Sequence, residues 1–432
     1  AARSCWKLRS NFLANRSIRI FKRSQLLSVL VPLLVVSVAS CTGDDASEGP
    51  QFSTLPDVAG AGSAEPHLAT ATDGTVVMSW LEPSDRGTDL RWSRLHSDQW
   101  EDPETIASGG NWFVNWADFP SLEPISESLW AAHWLVKRPG GTFAYDVALS
   151  ISTDSGSTWS EAVVPHQDDT PTEHGFVSLF PWQDKVGALW LDGRHMQPSE
   201  DGHGHGGMTL RAVALDGDLA RHRKTEVDGL VCDCCQTDVA ISAAGPIAVY
   251  RNRTEEEVRD IYVTRYLDDA WLPGVAVADD GWTIAGCPVN GPAVDATMDS
   301  VVVAWFTAAN GNSKVRLARS NDSGASFSAA LDIAVDRPVG RVDVALLADG
   351  SALVSWLESA SDGTGDIRVR RATPQGVLRP ALTVAKTDAG RMSGFPQMVV
   401  SGDEVVFAWT DVADGVTSVR TATAQVKGLI GN

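Results

Sequence analysis

The stretch VCDCCQTDVA, residues 231–240, sets Cys232, Cys234 and Cys235 within four positions, and Cys287 is the only other cysteine after residue 41. Three chemistries suit such a set. A disulfide would staple an exported chain. Four cysteines allow three pairings, in which Cys287 can join Cys232 or Cys234, whereas adjacent Cys234 and Cys235 would close a strained eight-membered ring. Thiolates and imidazoles would instead suit zinc or copper, with His203 and His205 of the loop DGHGHGG as further donors and His195 just upstream. That spacing is not a standard zinc motif, and a Gly/His loop is also what a plain solvated connection looks like. A reactive thiol is the third chemistry.

A second group of residues could handle a sugar. Arg251, Arg341 and Arg391 could converge as a clamp for a carboxylate, or each could satisfy buried carbonyls or bridge neighbouring elements. Asp192 and Glu256, from the segments DGRHMQPSED and RNRTEEEVRD, could supply the two carboxyl groups of a glycoside hydrolase. Trp112, Trp116 and Trp282 lie in polar connections, where an indole stacks on a sugar face or plugs a core. There is no phosphate-cradling glycine loop and no nucleophilic serine motif. Whether any of these groups meet depends on the elements that carry them.

Those elements repeat. Seven copies of a short apolar strand, a turn and a second apolar strand ending in an aromatic residue run from PHLATATDGTVVMSWLE (66–82) to PQMVVSGDEVVFAWTD (396–411). The terminal aromatics are Trp80, Trp134, Trp190, Tyr250, Trp305, Trp356 and Trp409, spaced 54, 56, 60, 55, 51 and 53 residues apart. A third alternating strand follows each copy, and a fourth follows six of them, such as ETIA (104–107) and AVVP (162–165). Four short strands at a period near fifty describe the blades of an all-β propeller. Seven blades are expected, with six as the alternative. The seventh repeat lacks its last strand, and FSTLPDV (52–58) is expected to complete that blade and close the ring, removing open sheet edges. In such a ring the blade-to-blade connections and the second-to-third strand loops share one face, so all four cysteines are expected on one rim.

The ends and the charge bound the setting. Residues 1–23 hold seven basic and no acidic residues, and the apolar run 26–40 is shorter than a spanning helix. Val38-Ala39-Ser40-Cys41 resembles a bacterial lipobox, which implies a signal peptide over 1–41, lipid on Cys41, a flexible tether over 42–51 and a propeller over 52–427. Thr42, where an aspartate would mark retention, implies the outer membrane of a Gram-negative envelope. Without the seven leader basics, 28 basic residues face 55 acidic ones, a net charge of −27. Such a surface repels nucleic acid and anionic lipid, so membrane contact is expected only through the anchor.

Two turns carry a family resemblance. SISTDSGSTWS (150–160) holds Ser152, Asp154, Gly156, Thr158 and Trp159, and RSNDSGASFS (319–328) holds Ser320, Asp322, Gly324, Ser326 and Phe327. Both resemble the Asp-box of the sialidase-like, BNR-repeat β-propeller superfamily, and the chain resembles the uncharacterised bacterial lipoproteins of that group. The resemblance implies a glycan or other extracytoplasmic ligand at the loop face, and Asp-boxes that are structural and lie on the opposite face. For a sialidase it would further imply an early Arg motif, two more clamp arginines and a Tyr–Glu pair with an acid Asp. The early motif is absent from SAEPHLATA, and only Tyr145, Tyr250, Tyr262 and Tyr266 exist. The expected function is recognition of such a ligand. A hydrolase built on Arg251, Arg341 and Arg391, and a zinc- or copper-binding protein built on the cysteines, are the alternatives.

Overall fold

Seven antiparallel sheets follow one another along the chain in the computed structural model, which describes residues 52–196 and 206–430. The described residues belong to one unit, Glu48–Asn432. The innermost strands are Ala64–Thr70, Ser121–Pro124, His174–Trp182, Asp238–Ser242, Ala293–Thr297, Pro338–Leu346 and Gln397–Ser401. Ser53–Thr54 pairs with Thr423 and Ala422 and becomes the outer strand of the seventh sheet, so the ring closes with seven blades. Cys41, the leader, the tether, His203 and His205 lie outside the described residues.

The repeating aromatics explain why the blades stack. All seven are buried, from 0% exposure at Trp80 and Tyr250 to 7% at Trp134. Apolar side chains of each blade interdigitate with those of the next, giving one cluster at each of the seven junctions and a small eighth of Leu135, Tyr145 and Val147 in blade 2, instead of a single central core. Each fully buried aromatic contributes on the order of 2–3 kcal/mol. Each indole N–H also needs an acceptor. Trp80 donates to Glu82, Trp190 to Asp192 and Trp356 to Glu358, two residues on in these three blades, at 2.8, 2.8 and 3.1 Å, while Trp305 donates to Asp280 at 2.7 Å.

Aspartates on the inner strands rivet successive blades. Asp238 accepts the Val294 N–H of the next blade, Asp295 that of Leu346, and Asp343 that of Met398, at 2.7, 2.7 and 2.6 Å. The Asp-box turns work the same way at the end of the strands opposite the connections. Ser152 Oγ accepts the Gly156 N–H at 2.8 Å, while Asp154 accepts the Thr158 N–H at 2.8 Å and its hydroxyl at 2.6 Å. Ser320, Asp322, Gly324 and Ser326 repeat this pattern. Gly156 and Gly324 take φ of +89° and +76°, and a Cβ there would strike Trp92 at 2.6 Å and Ile247 at 2.2 Å. Glycine is therefore required both by conformation and by the neighbouring blade. Trp159 and Phe327 pack beneath their turns, as the motif implies.

One blade departs from expectation. The fourth strand anticipated at 162–165 is reduced to a single bridge between Leu149 and Val163. Beyond it the carbonyls of Val164 and Pro165 are turned toward Arg221 of the third blade, and Pro165 has no N–H to continue a ladder.

Candidate functional site

The cysteines converge, as the ring requires. Cys232, Cys234 and Cys235 occupy the turn between blades 3 and 4, and Cys287 lies in the connection between blades 4 and 5. The Cys232 Sγ stands 3.9 Å from that of Cys234 and 3.5 Å from that of Cys235. No disulfide joins them; Cys232 and Cys235 are buried, Cys234 is half-buried and Cys287 is exposed.

Fixed donors aim at these sulfurs. Arg259 Nη1–H points to Cys232 Sγ at 3.2 Å, and the Asn290 backbone N–H to Cys235 Sγ at 3.4 Å. The Cys232 N–H bonds the Arg251 carbonyl at 3.0 Å. Burial alone would raise the Cys232 thiol, but hydrogen bonds from Cys234 and Cys235 and the nearby guanidiniums outweigh it and hold Cys232 well below the usual thiol range. Hydrogen bonding to the neighbouring sulfurs pushes Cys234 up, burial does the same to Cys235, and the contact with Cys234 draws Cys287 down. The guanidiniums and neighbouring sulfurs thus favour the charged form more at Cys232 than at Cys234 or Cys235.

The acidic run TEEEVRD is less idle than a solvated stretch. Glu257 receives Arg253 at 2.6 Å and Arg259 at 2.8 Å, and Asp233 receives Arg259 at 3.1 Å, so the loop braces the thiolate turn. Glu255 and Glu256 are exposed.

The nominated sugar residues do not assemble. Arg251 is 2% exposed, and its guanidinium is engaged by the carbonyls of Asn290, Arg259 and Phe306 at 2.6–3.0 Å over the Trp282 ring. Arg341 is likewise buried and donates to Ser393 Oγ and the Gly394 and Gly390 carbonyls. Arg391 is exposed beside Trp116. The clamp is therefore replaced by carbonyl-satisfying arginines, because blade connections leave carbonyls that no strand pairs. Asp192 is fully buried as the acceptor for Trp190 and, bidentately, for Arg194 at 2.6 Å, the slot filled by Glu82 and Glu358 in other blades. Glu256 is exposed, and among the described residues no hydrogen bond or ion pair joins it to Asp192. Trp112 and Trp282 are buried plugs, while Trp116 is half-buried, stacked on Phe395.

Two clusters had no sequence signature. Tyr145 Oη–H lies 2.8 Å from both Asp118 Oδ2 and Glu173 Oε1, and the Phe176 N–H reaches Asp118 Oδ1 at 2.7 Å. Burial lifts Asp118 to about 7 and pushes Glu173 well above the carboxyl range. Beside them His166 and His174 stack 3.8 Å apart and share Asp168, at 3.0 and 3.1 Å. Burial opposes charge on His174, but Asp168 and Asp192 raise it above the ordinary imidazole value. Asp118 comes from one connection, His166, Asp168 and Glu173 from the next, and Tyr145 and His174 from the starts of two strands, with no motif spacing to mark them.

The ring encloses a channel of about 320 Å³ lined by His67, Glu123, Asp238, Asp295, Asp343 and Gln397 among others. No Lys or Arg among the described residues lines it. Burial lifts Glu123 to about 8 and Asp343 to about 7, so the wall offers carboxyl protons as well as acceptors.

No protein-family model matches the chain, and no curated protein does. Among solved structures it is similar to a protein of unknown function from Dyadobacter fermentans, at 14% identity over 87% of this chain and 98% of that one, with a TM-score of 0.49. It is also similar to Trypanosoma rangeli sialidase, at 12% identity over 78% and 57% of the two chains, with a TM-score of 0.47. The third is Penicillium chrysogenum α-L-arabinanase, at 11% identity over 88% and 98%, with a TM-score of 0.45. At such identities likeness extends to fold alone. The closed ring makes the chain a seven-bladed β-propeller, and its two Asp-box hairpins form as the resemblance to sialidase-like propellers implied.

Proposed function

We propose that this propeller binds a soft metal ion, Cu⁺ or Zn²⁺, at the Cys232–Cys234–Cys235 turn. The observation that carries the reading is the spacing of the sulfurs, 3.5 and 3.9 Å from Cys232. Metal–thiolate bonds of about 2.3 Å place sulfurs roughly 3.8–4.0 Å apart in tetrahedral or trigonal geometry, so the Cys232–Cys234 separation already fits and Cys235 would move out by a few tenths of an ångström, with all three sulfurs within 4.8 Å of one another. Arg259 and the Asn290 N–H supply the outer hydrogen bonds that orient thiolate ligands and temper their charge. Protein reconstituted under reductant is expected to carry one ion per chain by elemental analysis, and Cys232→Ser to lose it. Four free thiols and no bound metal after reconstitution would refute the reading.

The reading includes a place in the bacterial envelope, with lipid on Cys41 as the membrane anchor. Labelling cells with an alkyne fatty acid is expected to mark the wild-type protein and not Cys41→Ala.

A second reading, recognition of a glycan, is supported by the polar central channel. Acids without a facing guanidinium suit the hydroxyls of an uncharged sugar better than a sugar acid. Saturable binding on a glycan array, weakened by Glu123→Ala, is expected for recognition. Turnover of fluorogenic glycosides that Asp118→Asn abolishes would move the reading to hydrolysis.

A further inference from the structure

The four thiols are not equivalent, and the inequality has a direction. Cys232 and Cys235 are each 1% exposed and sit on a turn held from several sides. The Cys232 N–H bonds the Arg251 carbonyl, the Asn290 N–H reaches Cys235 Sγ, and the neighbouring Gln236 side chain both donates to the Ala117 carbonyl and accepts the Gly291 N–H. Cys287 is the opposite case. It is exposed, and no backbone N–H of residues 285–289 donates a hydrogen bond. A side chain on the preceding Gly286 would meet nothing within 4 Å, so the approach to Cys287 is open on that side, while the segment is held at its ends by the Ile284 N–H on the Glu257 carbonyl and the Asn290 side chain on the Pro288 carbonyl. Yet the Cys287 thiol reaches the half-buried Cys234, which in turn lies 3.9 Å from Cys232. Exposure therefore falls stepwise from Cys287 through Cys234 to the buried pair.

We propose that Cys287 is the transfer thiol of this site. It takes a Cu⁺ ion from a thiol-ligated donor at the surface and passes it to Cys234, from which it reaches Cys232 and Cys235. The inference rests on the soft-metal reading above. Each step is a ligand exchange in which one metal–sulfur bond forms and another breaks. No electron moves, and the proton of each incoming thiol ends on the departing thiolate. A pinned, buried thiolate turn holds an ion but meets a bulky donor complex poorly. An exposed thiol within reach of the turn supplies the missing approach. Cys287 is thus a kinetic residue, and the three cysteines of the turn set the equilibrium.

The test uses the full chain, reduced and metal-free, mixed with the Cu⁺–glutathione complex while thiolate-to-copper charge-transfer absorption is followed by stopped flow. Wild type and Cys287→Ser are expected to reach the same one ion per chain, with affinity against a competing chelator changed less than about threefold, while loading of the variant slows at least tenfold. Because Cys287 is exposed, Cys287→Ser and Cys287→Ala should both fold, which circular dichroism checks. In Cys235→Ser the fast encounter should persist while the final affinity falls. Equal loading rates for wild type and Cys287→Ser would overturn the proposal. So would loss of stoichiometric binding in Cys287→Ser, which would make Cys287 a permanent ligand. Failure of the wild type to bind any Cu⁺ would instead remove the metal reading itself, and this inference with it.

Discussion

Replacing Arg251 by alanine separates two roles that a buried arginine near a channel could play. As a ligand clamp its loss would abolish binding and leave the fold intact. The structure gives it four hydrogen bonds to three carbonyls and a place over Trp282 at 4.8 Å. Hydrogen bonds to a charged group contribute about 1.5–3 kcal/mol each, but these share acceptors and do not add. Truncating one partner of a buried charged network costs about 3–5 kcal/mol. Arg251→Ala should therefore lose about 4 kcal/mol from a total of about 5–15. At roughly 2 °C per kcal/mol for a large domain, Tm should fall by about 8 °C. The Arg251 carbonyl holds the Cys232 N–H, and the Asn290 carbonyl it binds belongs to the residue whose N–H meets Cys235, so metal affinity should weaken at least tenfold as well. Calorimetry of the apo protein and a chelator competition read the two effects. An unchanged Tm with ligand binding lost would refute the structural role and restore the clamp.

Further outcomes follow from other parts of the ring. Gly324→Ala combines a left-handed backbone with a 2.2 Å clash on Ile247, and denaturant unfolding should show a loss of about 2–4 kcal/mol. Alanine at the exposed Gly376, which has open space, should cost only the backbone term, about 1–2 kcal/mol. Burial raises Glu123 to about 8, Asp118 and Asp343 to about 7, and Asp238 and Asp295 to about 6. The folded chain therefore keeps protons that the unfolded chain has lost, and stability should fall as pH rises from about 4 to about 8. Thermal scans across that range check this, and Asp343→Asn should flatten the slope. Deleting residues 52–58 removes the outer strand of blade 7 and the buried Leu55, baring the Val416–Gln425 edge. Light scattering should then report self-association.

The blades were legible because one aromatic per repeat must be buried at a fixed place, so Trp80 to Trp409 count the sheets directly. The closing strand followed from a missing one, and the Asp-boxes from local turn chemistry that needs no tertiary context. The meeting of Cys287 with the 232–235 turn followed from topology alone, since both lie in adjacent connections on one rim. Side-chain direction was not legible. Arg251, Arg341 and Asp192 have the residue types of a glycosidase, yet Arg251 and Arg341 answer carbonyls of the adjoining connections and the next blade, and Asp192 answers the indole of its own blade. Tyr145, Asp118 and Glu173 meet from three different segments, and neither period nor spacing announces such a meeting. Val163 shows the limit for strands, because AVVP has the right pattern but Arg221 takes the carbonyls that the ladder needed.

The rivets between inner strands are distributed unevenly. Asp238, Asp295 and Asp343 tie blades 4 to 7 strand to strand, whereas between blades 2 and 3 the carboxylate that takes an inner-strand N–H is Asp118, from the connection before blade 2, and it also holds Tyr145. That junction is thus fastened by a member of the phenol–carboxyl cluster itself. A substitution at Asp118 should loosen the seam between two blades as well as disturb the chemistry gathered there.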